Sequence, residues 1–153
     1  MISKTLLHSD PELVSLRSHG AGNMTIDELK LIIEKACTNY GLNVIVSTDV
    51  ITSGRIFDKS KTDCITITNA EHQKDYFIEV ITMKTQGLYA FFDFYYTGTS
   101  KNNRRMAEGD MKHSTITGSI IGAIKKATVS NDAMETETNY YSMLCDAIRS
   151  VIN

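Results

Sequence analysis

Two runs of the chain, 75–83 (DYFIEVITM) and 88–97 (LYAFFDFYYT), carry apolar side chains on both sides of a strand. Both are rich in aromatic and β-branched residues, which suit a pleated surface. They flank Lys84-Thr85-Gln86-Gly87, a turn-like break. Pairing Met83 with Leu88 in an antiparallel hairpin sorts the side chains into two sets. One face carries Tyr76, Ile78, Val80, Thr82, Tyr89, Phe91, Asp93 and Tyr95; the other carries Phe77, Glu79, Ile81, Met83, Leu88, Ala90, Phe92 and Phe94. A hairpin with one face in water alternates apolar and polar residues. Here both faces need a cover: helices on one side and something else on the other.

The helical pattern is clearest at 26–40. Thr25 and Glu28 form a capping box, with Met24 and Leu29 placed as a hydrophobic staple. Leu29, Ile32, Ile33, Ala36, Cys37 and Tyr40 recur at three- and four-residue steps, and Gly41 supplies a left-handed stop. Between this helix and the aromatic hairpin, 42–47 (LNVIVS) reads as a short strand and 50–58 (VITSGRIFD) as a small hairpin turning at Ser53-Gly54. Residues 58–63 (DKSKTD) read as a charged loop, and 63–68 (DCITIT) as an alternating strand.

Two helices are expected after the polar bridge 98–105: 107–127, with Ile116, Ile120 and Ile124 on one stripe, and 132–152, with Tyr140, Tyr141, Leu144, Ala147, Ile148 and Val151. Residues 1–23 read as an N-terminal arm or tail, joined through Gly20-Ala21-Gly22-Asn23 to a single domain over 24–153. Within the arm, Ser9-Asp10-Pro11-Glu12 is a helix-initiating pattern. The expected fold is therefore α+β: N-terminal helix, antiparallel β-meander of three to five strands, two C-terminal helices. In that element order the chain resembles small secretion-chaperone-type and stress-response α+β proteins, which often pair as dimers.

Composition narrows the function classes. A chain of 153 residues buries roughly 70% of its unfolded surface, enough for one real core. Net charge is −2, so nucleic acid is not an expected partner. Cys37, Cys64 and Cys145 are widely spaced and follow no zinc pattern, so no metal or other cofactor is expected. No run reaches the ~18 apolar residues of a membrane span, and the expectation is a cytoplasmic protein. One proline, no tryptophan and the abundance of Ile, Lys, Asn, Thr and Tyr suit an AT-rich coding sequence such as that of a phage.

Several side-chain groups have site-like chemistry. Arg104, Arg105, Lys112 and His113 stand beside Ser114 and Thr115 at the start of the first C-terminal helix. Arginine forks, hydroxyls and free helix N–H groups together suit a phosphate. Gly118 and Gly122 form a G-x-x-x-G pair, which lets a second helix approach closely, within the chain or from another subunit. His113-Ser114-Thr115 matches half of a two-histidine phosphoesterase signature, but no second H-x-[ST] occurs. Glu79 and Asp93 point to opposite faces of the hairpin, so they are not a catalytic carboxylate pair. Glu79 is expected at a wet rim. Asp93, among Tyr76, Tyr89, Phe91 and Tyr95, suits a partner surface, a polar ligand pocket or a core acid held by tyrosine hydroxyls.

The expected function is a non-enzymatic, homo-oligomeric binding protein that sequesters or blocks a partner protein or a small anionic, phosphate-containing ligand. A phage or mobile-element inhibitor is one form of it. The aromatic sheet face or the G-x-x-x-G helix would serve as interface. Two alternatives stand beside it. One is a chaperone-like adaptor with exposed aromatics. The other is a phosphate-substrate enzyme using His113, Arg104 and Arg105. If the chain is monomeric, the N-terminal arm is expected to cover the second sheet face.

Overall fold

A computed structural model of the chain describes residues 1–55, 58–71, 77–98 and 131–152. The expected element order is overturned. The α+β class holds, but the body is a curled, mixed sheet of seven strands, and the first helix follows three of them. Strands β1 (Ile2–Ser3), β2 (His8–Ser9) and β3 (Leu16–His19) come from the N-terminal arm. Helix α1 spans Ile26–Asn39; strands β4 to β7 span Val44–Arg55, Asp58–Asn69, Phe77–Gln86 and Tyr89–Gly98; helix α2 spans Asn131–Val151. The helix expected over 107–127 lies outside the described residues. With the expected order goes the topological likeness to secretion-chaperone-type proteins.

The arm's strands were illegible for a physical reason. A two-residue strand has no periodicity of its own, and its conformation comes from the partner it pairs with. β1 runs parallel to β4 at Ile51 and Thr52, which makes the sheet mixed. β2 and β3 both run antiparallel to β7 at the opposite edge. The order β1-β4-β5-β6-β7-β2 puts five strand spacings between β1 and β2, about 24 Å if the sheet were flat. Only five residue steps, including the 3-10 turn at Lys4–Leu6, connect Ser3 to His8. Fully extended, they reach about 18 Å. The sheet is therefore curled enough to bring its edges within reach of this strap.

β4 and β5 also depart from the expected pieces. Ser53-Gly54 does not turn the chain: β4 continues to Arg55, which pairs with Asp58. The charged run 58–63 is the start of β5 rather than a loop. Its lysines are exposed, so charge cost nothing in strand formation at this end of the hairpin.

α1 forms as its sequence dictates. Glu28 N–H donates to Thr25 Oγ1 at 3.2 Å, and Thr25 N–H to Glu28 Oε2 at 2.8 Å, closing the capping box. Leu29, Ile33, Ala36 and Cys37 face the core. The aromatic hairpin also forms, with a tighter turn than expected. Gln86 pairs with Tyr89, leaving Gly87 and Leu88 as a two-residue loop. Gly87 has φ +59°, the positive value that a II′ turn places first. Relative to a Met83–Leu88 pairing the register slides by an even number of residues, so the two facial sets are preserved.

Those two faces have different covers. The inner face carries Phe77, Ile81, Ala90, Phe92, Phe94 and Tyr96, together with Val46, Ile65 and Ile67. Helices α1 and α2 and Leu13 close over it, and Phe77 meets Tyr141 edge-on at 5.3 Å. On the outer face a smaller cluster of Ile51, Cys64 and Val80 is capped by Ile2 and Leu7 of the strap, with Ile78 and Tyr95 packed alongside. The glycine joint is pinned as well. Gly20 N–H donates to Leu88 O at 2.7 Å, and a Cβ on Gly22 would collide with Gly87 O.

Candidate functional site

The strap covers only part of the outer face. Beyond it, β7 presents Tyr89, Phe91 and Asp93 outward in alternation, with Tyr89 36% and Phe91 38% exposed. β3 adds its own outward residues beside them: Arg17 opposite Phe91 and His19 opposite Tyr89. The His19 and Tyr89 rings lie 5.0 Å apart, and Tyr89 and Phe91 6.0 Å apart. Arg17 Cζ stands 5.7 Å from the Tyr89 ring centroid, within cation–π range. On the β6 side, Lys84 pairs with Phe91 and is exposed. The result is an open row of two aromatic rings and an imidazole, edged by an arginine and a lysine.

Asp93 closes one end of this row. Its Oδ1 accepts a hydrogen bond from Ser15 Oγ at 2.5 Å. Tyr95, next along the strand, is half-buried beside the strap. Burial, and then the charge of Asp93, push its phenol above the ordinary value. Among the described residues Asp93 therefore neighbours Tyr95, Phe91 and Ser15; Tyr76 lies outside them. Ser15, Arg17 and His19 were not anticipated as site residues. The only trace in the sequence was the Leu-Arg-Ser-His alternation at 16–19, too short to read without its partner strand.

Glu79 lies on the inner face and is fully buried rather than at a wet rim. Its neighbour is Asp10 of the arm, itself buried. Asp10 does cap a turn, as the Ser9-Asp10-Pro11-Glu12 pattern predicts. Its Oδ1 accepts from Glu12 N–H and Leu13 N–H at 2.8 Å, but no helix follows. Oδ1 also accepts from the Tyr141 hydroxyl of α2 at 2.7 Å. Neither Glu79 oxygen nor Asp10 Oδ2 has a donor. The pair is satisfied only when a proton lies between the two carboxyls. Burial pushes the Glu79 carboxyl well above its ordinary range, and the charge of Asp10 and their mutual hydrogen bond push the same way. Sealed from solvent, this pair fastens the arm to β6 and α2.

Two cysteines flank these regions. Burial raises the Cys37 thiol to about 11 on the inner face, and burial with the nearby acids Asp49 and Asp63 raises Cys64 to about 11 on the outer. Neither is a thiolate at neutral pH, and all three cysteines are free. Among the described residues no group of three or more His, Cys, Asp or Glu side chains is placed to hold a metal ion. No described helix is long and apolar enough to cross a membrane. The sequence-selected residues Tyr76, Arg104, Arg105, Lys112, His113, Ser114, Thr115, Gly118 and Gly122 all lie outside the described residues.

No family model matches the chain, and no curated protein or solved structure matches it.

Proposed function

We propose that this chain is a non-enzymatic binding protein that captures or blocks a partner protein through the open part of its outer sheet face. The observation that carries the reading is the row of Tyr89, Phe91 and His19 edged by Arg17 and Lys84. Tyrosine, phenylalanine and arginine are the residue types that concentrate binding energy at protein interfaces. β3 and β7 hold them on paired strands, so little conformational entropy is lost when they are covered. An open row of side chains suits a macromolecular surface better than a small ligand, which needs a concavity. The edging charges set the partner's character. Arg17 and Lys84 outnumber the one carboxylate of the row, Asp93, so the complementary partner carries an acidic, apolar patch.

The test is photo-crosslinking in an extract of the cells that make the protein. A photoreactive amino acid at position 91 is expected to yield one adduct of defined mass, lost when Arg17→Glu is added. The same group at Leu31, an exposed apolar position on α1, is the control. Equal, diffuse labelling from both positions would sink the proposal.

A further inference from the structure

We infer a second binding site, independent of the aromatic row, for a small phosphate-bearing molecule at the rim where the N-terminal strap meets the far end of the β4–β5 hairpin. A cavity of about 520 Å³ opens there, and Lys4, Lys59 and Lys61 all line it. The hydroxyls of Thr5, Thr52 and Ser53 line the same space, and among the described residues no carboxylate does. The lysines come from two places: Lys4 from the strap, Lys59 and Lys61 from β5 beside Gly54 and Thr52 of β4. Among the described residues none of them has an ion-pair partner, whereas Lys30 and Arg149 elsewhere on the surface do. Three unneutralised ammonium groups around one concavity concentrate positive potential, and they repel one another until an anion enters. Lysine supplies a compact charge to phosphate oxygens. Thr52 gives its proton to Ile2 O, whereas the Thr5 and Ser53 hydroxyls, paired with Ser3 and Ser60, can turn toward an entering anion.

The site has room for more than an inorganic ion. A second cavity of about 280 Å³ shares Lys4 and Ser53 with the first and is lined on the outer face by Leu7, Ile51, Thr62 and Tyr95. A phosphate held at Lys4 can thus place an uncharged organic body against Leu7 and Ile51, with the Tyr95 phenol and Thr62 hydroxyl as polar contacts. The larger cavity alone falls in the range of small-ligand sites. The ligand class this describes is a phosphorylated metabolite of about nucleotide size, with its phosphates at the lysines. The pairing of β1 with β4 creates the site, because setting Ser3 beside Thr52 brings Lys4 to the hairpin end.

The test is calorimetric titration of the full chain with ADP, inorganic pyrophosphate and ribose 5-phosphate, at low and at physiological salt. Binding of at least one probe is expected, ADP more tightly than pyrophosphate, and weaker at higher salt. Lys59→Glu with Lys61→Glu should weaken it by about tenfold or more, and Lys35→Glu on α1 should not. Lys59 and Lys61 are exposed, so the fold should survive; should the double variant unfold, Lys4→Glu is expected to show the same loss. Failure of all three probes to bind overturns the proposal. So does binding that both lysine variants leave unchanged. A single-stranded oligonucleotide that binds more tightly than ADP at the same lysines overturns it in favour of a polymeric anion.

Discussion

Phe91 and Phe92 are neighbours in sequence and of identical chemistry, yet Phe92 is fully buried and Phe91 is 38% exposed. The acids of the same hairpin divide in the same way. Glu79 is sealed beneath α2 and bonded to another carboxyl, while Asp93 stands at the surface and accepts from a serine. Strand alternation separates the two sets. What differs is the cover: two helices on the inner face, and on the outer face a strap of a few residues that stops short of Tyr89 and Phe91. The lesson is that an apolar residue on a strand reports a demand for burial, and the rest of the fold decides whether the demand is met. Where it is not met, the surface is available to a partner.

The sharpest way to break this comparison is to truncate each phenylalanine in turn. Phe92→Ala should destabilise by about 3–5 kcal/mol in equilibrium denaturation, and Phe91→Ala by about 1 kcal/mol or less. Comparable losses would mean that the outer row is as enclosed as the inner core.

The second effect concerns the acids. The folded-state pKa of Glu79 lies above its ordinary value of 4.5, so the folded protein holds a proton that the unfolded chain releases. Its contribution to stability is fully present below about 4.5 and is lost as pH rises toward the folded value, at about 1.4 kcal/mol per pH unit. Glu79→Gln keeps the shape and offers an amide donor to Asp10 Oδ2. It should flatten that slope and make the protein more stable than the wild-type chain near pH 7.5. Parallel stability profiles for the two proteins from pH 4 to 8 would show that no proton is held there.

The smallest effect tests the strap. Leu7→Asp removes an apolar cap from Ile51, Cys64 and Val80 and should cost about 1–2 kcal/mol. More tellingly, maleimide should then label Cys64 while Cys37 and Cys145 stay protected under the helices. A Cys64 that remains unreactive would mean that Leu7 is not what shields it.

Much of the local structure was legible in the residues. Helix α1 is delimited by Thr25, Glu28 and Gly41, whose capping chemistry acts within a few residues. The two facial sets of the aromatic hairpin follow from a side-chain period of two, and they survive the slide in register. The need for a second cover was legible too, as was the α2 stripe of Tyr140, Leu144 and Ile148. The identity of that cover was not. Ile2 and Arg17 sit in strands of two and four residues whose strand character exists only through β4 and β7, and Leu7 lies between a 3-10 turn and β2, in no strand at all.

The same limit applied to function. The sequence alone determined that residues 77–96 demand burial on both sides, because alternation and side-chain chemistry are local properties. Only the tertiary structure decided that Glu79 is sealed against Asp10, that Tyr89 and Phe91 remain open beside Arg17, and that Lys4 meets Lys59 and Lys61 across one cavity. Each of these depends on contacts between residues tens of positions apart. Sheet curl and edge pairing set those contacts, and neither leaves a local mark in the chain.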